Sequence, residues 1–143
     1  MGDDGARALA ERVPPHNVEA EQSLLGSMFL SADAVETCVM MVEKEDFYRP
    51  PHQKIFDAVR HLHTRGEAVD QITVAARLEA ANELEAAGGK SYLLDITGAV
   101  PTAANAEYYA TIVKRTSMLR QLIDAATRIQ AISYGSPDDI DDV

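Results

Sequence analysis

Along residues 17–30 the apolar positions recur at helical spacing, with Leu24, Leu25 and Met28 on one face and Asn17 standing where a helix N-cap belongs. Glu19 and Glu21 fall in the first turn, where unsatisfied amide dipoles favour negative charge. Gly26 inside this segment costs helix stability unless another helix packs close to it. Ser31 caps a second pattern carried by Ala34, Val35, Cys38, Val39 and Val42. Residues 44–51 lose the period and hold two aromatics, Phe47 and Tyr48, expected to plug the core. Pro51 suits the first turn of a third helix, marked by Ile55, Phe56, Val59 and Leu62 and ended by Arg65 and a C′ Gly66. After the short extended pair Ala68-Val69, Asp70 caps a fourth helix bearing Ile72, Ala75, Ala76 and Leu78. Gly88-Gly89 breaks the chain, and Tyr92, Leu93 and Ile96 mark a short fifth helix before Gly98 and Pro101.

The longest periodic segment covers residues 103–134, with Tyr108, Tyr109, Ile112, Val113, Leu119, Leu122, Ile123, Ala126, Ile129 and Ile132 at apolar positions. No Gly or Pro interrupts it before Gly135, although a break at Thr116-Ser117 into two shorter helices is an alternative. At 1.5 Å per residue one helix would extend about 45 Å, so its apolar stripe outruns a small domain and needs a partner. Strand-like alternation never exceeds two or three residues. The pattern therefore predicts an all-α fold, a small orthogonal bundle of five or six helices carrying a long C-terminal helical arm. The expected division is a flexible tail at 1–13, a globular head at 14–101, the arm at 102–135, and a linker-like start of a further segment at 136–143.

The length of 143 residues is that of one domain, and 46% hydrophobic content is enough to fill its core. The net charge of −10 is unevenly spread. Residues 1–13 contribute −1, residues 14–100 contribute 7 − 14 = −7, residues 101–135 contribute 4 − 2 = +2, and residues 136–143 contribute −4. Such a chain repels phosphate backbones and anionic lipid, so strong DNA binding and membrane association are not expected. Cys38 has no partner for a disulfide and reads as a buried small hydrophobe in a reducing, cytoplasmic setting. No apolar run approaches the ~18 residues that would span a bilayer.

Catalytic chemistry finds little support. Gly89-Lys90-Ser91 resembles the end of a phosphate-binding loop, but the position five before Gly89 is Leu84 rather than glycine and no strand precedes it, so it reads as a helix-breaking turn. His61 and His63 are two apart and face different sides of a helix, which disfavours a shared metal. His52 shares a face with Phe56 and is expected to pack beside the core with one nitrogen satisfied. Asp57 and His61 form a possible surface pair one turn apart. A small metal-dependent hydrolase would need His52, His61 and Asp57 to converge. Cys38 has no neighbouring base, so nucleophilic catalysis lacks an activator. Lys114, Arg115, Arg120 and Arg128 fit the polar face of an oligomeric helix better than a phosphate-binding track.

Five segments carry a family resemblance: VPPHNVEAEQSLLG at 13–26, DFYRPPHQKIF at 46–56, VDQIT at 69–73, GGKSYL at 88–93 and VPTAANA at 100–106. In this order and spacing they resemble the N-terminal domain of the bacterial replicative DNA helicases of the DnaB family, over residues 13–135. The resemblance implies an all-helical head followed by a helical hairpin, with the arm as its first part. It further implies pairing of subunits within a hexameric collar, a trimer of dimers, and docking of the C-terminal domain of a DnaG-type primase. A helicase loader is a further partner in some bacteria. ATP and Mg²⁺ would belong to a separate motor domain, so this segment itself would be non-catalytic and hold no cofactor or metal. Ile112, Leu119, Leu122, Ile123, Ala126 and Ile129 are the expected oligomer interface, and Asp70, Lys90 and Tyr92 the expected primase-contacting surface. The alternative is an all-helical single-stranded DNA-binding or adaptor domain without catalysis.

Overall fold

The computed structural model describes residues 13–135, and within them every regular element is helical. The elements are α1 (Val18–Leu30), α2 (Ala32–Met41), α3 (Pro50–Thr64), α4 (Gln71–Ala80), α5 (Gly89–Gly98) and α6 (Ala106–Tyr134), with short 3-10 turns at Lys44–Asp46 and Ala103–Asn105. The expected tail and the acidic run at 136–143 lie outside the described residues, apart from Val13.

The caps explain the boundaries. The Asn17 side chain accepts from the Ala20 amide, Ser31 from Ala34, and Asp70 from both Ile72 and Thr73. At Asp70 the Thr73 hydroxyl in turn accepts from the Asp70 amide, closing a capping box. Pro50 and Pro51 open α3, where a missing amide hydrogen costs nothing. Gly66 (φ 70°) ends that helix, and Gly88 (φ 106°) turns the chain into α5.

Helix α1 lies at the centre, touching α2, α3, α5 and α6, while α4 bridges α3 and α5. Leu24, Leu25 and Met28 from α1 meet Phe47, Ile55 and Phe56 in a core with no solvent exposure. Gly26 is where α5 crosses most closely: a Cβ there would collide with the Ile96 carbonyl oxygen and lie 2.7 Å from Val100 Cγ2. Gly26→Ala is therefore expected to destabilise the fold by about 1–3 kcal/mol, outweighing its gain in helix propensity, and a thermal melt followed by circular dichroism measures it.

Of the two readings of the long periodic segment, the single helix is the one observed: 106–134 is one uninterrupted helix of 29 residues, about 43 Å long at 1.5 Å per residue. At Thr116-Ser117 the helix runs on: the Thr116 hydroxyl bonds back to the Ile112 and Val113 carbonyls within it, while Ser117 turns to a partner in the head. The packing does not change at residue 101: Ala106, Ala110, Val113 and Ser117 of α6 are buried against the head, so its first three turns belong there. Ile72 is not on a buried face but 74% exposed, because Val74, Ala75 and Leu78 take the inward side of α4.

Candidate interaction surfaces and the polar junctions beneath them

Two buried polar clusters set the shape of the outer surfaces. The first joins α1, α3 and α5. The Glu21 carboxylate, fully buried, lies 2.7 Å from His52 Nδ1 and accepts from the Tyr48 and Arg49 amides at 2.7 and 3.4 Å. His52 Nε2 lies 2.6 Å from the Tyr92 hydroxyl, which accepts from the Gln22 amide at 3.0 Å. One directed chain satisfies every atom: Gln22 donates to Tyr92, Tyr92 to His52, and His52 to Glu21. His52 thus has both nitrogens engaged, not one, and its ring stacks against Tyr92. Glu21, a first-turn acid of α1, is also a core residue. Its position three and four before Leu24 and Leu25 places it on their face, a signal the sequence does contain.

The second cluster fixes α6 to the head. Asp46, 2% exposed, accepts from Ser117 Oγ at 2.7 Å, from Lys114 Nζ at 3.1 Å and from the Glu43 amide at 2.7 Å. Burial works to raise its pKa, but the bonds from Ser117, the Glu43 amide and Lys114 outweigh that and hold the carboxyl below its ordinary value. Arg120 donates to the Asp46 carbonyl at 2.7 Å and to the Pro15 carbonyl at 2.9 Å. Its guanidinium stands 5.4 Å from the centre of the Tyr48 ring, which stacks on His16. Lys114 and Arg120 are therefore bound within the chain, not spread on a free polar face. This also removes half of the arm's four cations from any phosphate track.

Among the ion pairs of the described residues His63 binds Glu36 at 2.9 Å, and Asp57 with His61 is not one of them. Among those same residues no three His, Cys, Asp or Glu side chains converge as a metal set. Burial pushes the Cys38 thiol pKa up, away from nucleophilic reactivity.

Two apolar surfaces remain uncovered. On α6, at about 100° per residue, Leu119, Leu122, Ile123, Ala126 and Ile129 fall within a stripe about 120° wide. All five are exposed, Leu122 at 66% and Ile129 at 59%. The stripe faces away from the side that carries Val113, Ser117 and the Asp46 contacts. Ile112 departs from the expected set, being half-buried against the head core. The second surface is a groove of about 380 Å³ between α4 and α5, lined by Ile72, Ala75, Ala76, Leu93, Leu94 and Lys90, with Gln71 and Glu79 at its polar margin. Asp70 caps the helix that forms one wall, and Lys90 lines the other. Tyr92, half-buried on α5, is not among the groove's lining residues, and its hydroxyl is bonded to His52.

A family model described as the DnaB-like helicase N terminal domain matches residues 13–115. The chain belongs to this family. The replicative DNA helicase DnaB of Geobacillus stearothermophilus is 50% identical over 133 residues, which is 93% of this chain and 29% of that protein. The N-terminal domain of DnaB helicase from Mycobacterium tuberculosis superposes with a TM-score of 0.87 at 43% identity, covering 91% of this chain and 92% of that one. A DnaB-like replicative helicase whose structure was described with its interactions with primase gives a TM-score of 0.74 at 26% identity, over 85% of this chain and 29% of that chain. The chain spans 29–30% of the length of the first curated relatives it matches. The all-α architecture expected of a DnaB-family head and arm is the one observed.

Proposed function

We propose that this DnaB-family chain is the collar module of a replicative DNA helicase, pairing subunits through α6 and docking primase, and where one exists a loader, on the head. It performs no chemistry itself; ATP and Mg²⁺ serve a motor domain in the remaining length of such proteins. The observation that carries this reading is the uncovered aliphatic stripe of Leu119, Leu122, Ile123, Ala126 and Ile129 on α6, in a fold whose described buried side-chain polar atoms are all satisfied. A surface of that kind is completed by a second apolar face. Arms pair as an isologous contact, Leu119, Leu122, Ile123, Ala126 and Ile129 of one copy meeting the same residues of another.

Primase docks on the groove between α4 and α5, where Ile72 and Leu94 supply exposed apolar contact and Lys90 a flanking charge. Asp70 holds the wall that carries Ile72, and Tyr92 supports α5 from beneath. Titration of the chain with a primase C-terminal domain tests the docking half. Binding at tens of micromolar or tighter is expected, weakened about tenfold or more by Leu94→Glu with Lys90→Glu at unchanged melting temperature. No binding, or binding indifferent to both substitutions, refutes the groove.

A further inference from the structure

We propose that the Asp46 cluster is a latch that fixes the direction in which α6 leaves the head, and through it the geometry in which two arms meet. The second half rests on the pairing reading above; the first is a property of one chain. Up to Val113, α6 is held by close apolar contact through Ala106, Ala110 and Val113. Such contact is short-ranged but weakly directional, and small side chains permit a helix to roll. At the last turn on the head the contact changes character. Lys114, Ser117 and Arg120, three residues apart in succession, all bond to one loop residue, Asp46, by its two carboxylate oxygens and its carbonyl.

Arg120 adds a second fixed point at the Pro15 carbonyl, so its planar fork spans the segment before α1 and the loop before α3. These bonds have preferred angles, and together they define both the tilt and the rotation of the helix. Beyond Ser117 no described residue of α6 is buried, so past that turn the Arg120 bonds alone tie the described part of the arm to the head. The latch face and the apolar stripe are on opposite sides of α6, so partner contact leaves the latch intact.

The test reads an intramolecular distance. Spin labels are placed on the whole chain at Met40→Cys on the head, 84% exposed, and at Gln130→Cys on the arm, also exposed. Cys38 is buried and does not compete for label. The labelled chain is diluted into excess unlabelled protein so that pulsed dipolar spectroscopy reports single chains. A narrow distance distribution is expected for the parent. Arg120→Ala is expected to broaden it to about twice that width, and Arg120→Lys, which keeps the charge but not the fork, to give an intermediate width. Ser117→Ala provides a milder variant should Arg120→Ala unfold the head, and it too is expected to broaden the distribution. Widths and means equal to the parent in a folded variant overturn the latch. Light scattering on the same samples separates the two readings: a narrow parent distribution in a chain that never self-associates refutes pairing and leaves the latch standing.

Discussion

Glu21→Ala is expected to be the most damaging single substitution in the head, with a loss of about 3–5 kcal/mol. The carboxylate is fully buried and accepts from His52 and from the Tyr48 and Arg49 amides. Truncation strands the fully buried His52 ring N–H and leaves the half-buried Tyr48 and Arg49 amides without their acceptor, and a buried unpaired donor costs about 1–3 kcal/mol. A domain of this size has a total stability of about 5–15 kcal/mol, so about a fifth or more of it disappears. The midpoint of thermal unfolding is expected to fall by roughly 10 °C or more. Replacing Glu21 and His52 together by leucine removes the imidazole donor along with its acceptor, though the Tyr48 and Arg49 amides stay unpaired, and recovers part of the loss. A Glu21→Ala melt within error of the parent would mean that the cluster is not the keystone of the α1, α3 and α5 junction.

The second large effect is on assembly. Leu122→Glu with Ile129→Glu places two carboxylates in the middle of the stripe on α6, both at positions that touch nothing in the head. Head stability should stay within about 0.5 kcal/mol, as expected of surface substitutions remote from packed groups. Pairing should collapse, because a two-fold contact presents each change twice. Four aliphatic side chains worth about 1.5–3 kcal/mol each when buried are replaced by like charges. At ~1.4 kcal/mol per tenfold change, self-association weakens by well over a hundredfold. Sedimentation velocity of the variant beside the parent measures this, and equal sedimentation coefficients at all concentrations would place the contact elsewhere.

Much of the backbone is legible from the chain alone because local chemistry decides it. Asn17, Ser31 and Asp70 each have a side-chain oxygen placed to accept the orphan amides of a helix start, and the three helices begin where those residues stand. Gly26 announced a close crossing by its cost to α1, and Ile96 of α5 provides it. What was not legible is what depends on long separation. Asp46 meets Ser117 across 71 residues and Arg120 across 74, and no periodicity reports which loop acid an arm cation will find. Nor does periodicity report that the first turns of α6 pack on the preceding helices through Ala106, Ala110 and Val113. Apolar character alone does not tell which way Ile72 faces; with Val74, Ala75 and Leu78 inward it turns out and lines the groove with Lys90. Tyr92 is the converse, an amphipathic side chain whose hydroxyl goes to His52.

The central claim is that this chain is an assembly module that pairs through α6. Static light scattering of the parent chain over a concentration series tests it most directly. The weight-average mass is predicted to rise from that of one 15.5 kDa chain toward that of two as concentration passes through tens of micromolar, and to stay at one chain for the Leu122→Glu, Ile129→Glu variant. A parent mass fixed at one chain throughout, indistinguishable from the variant, would contradict it.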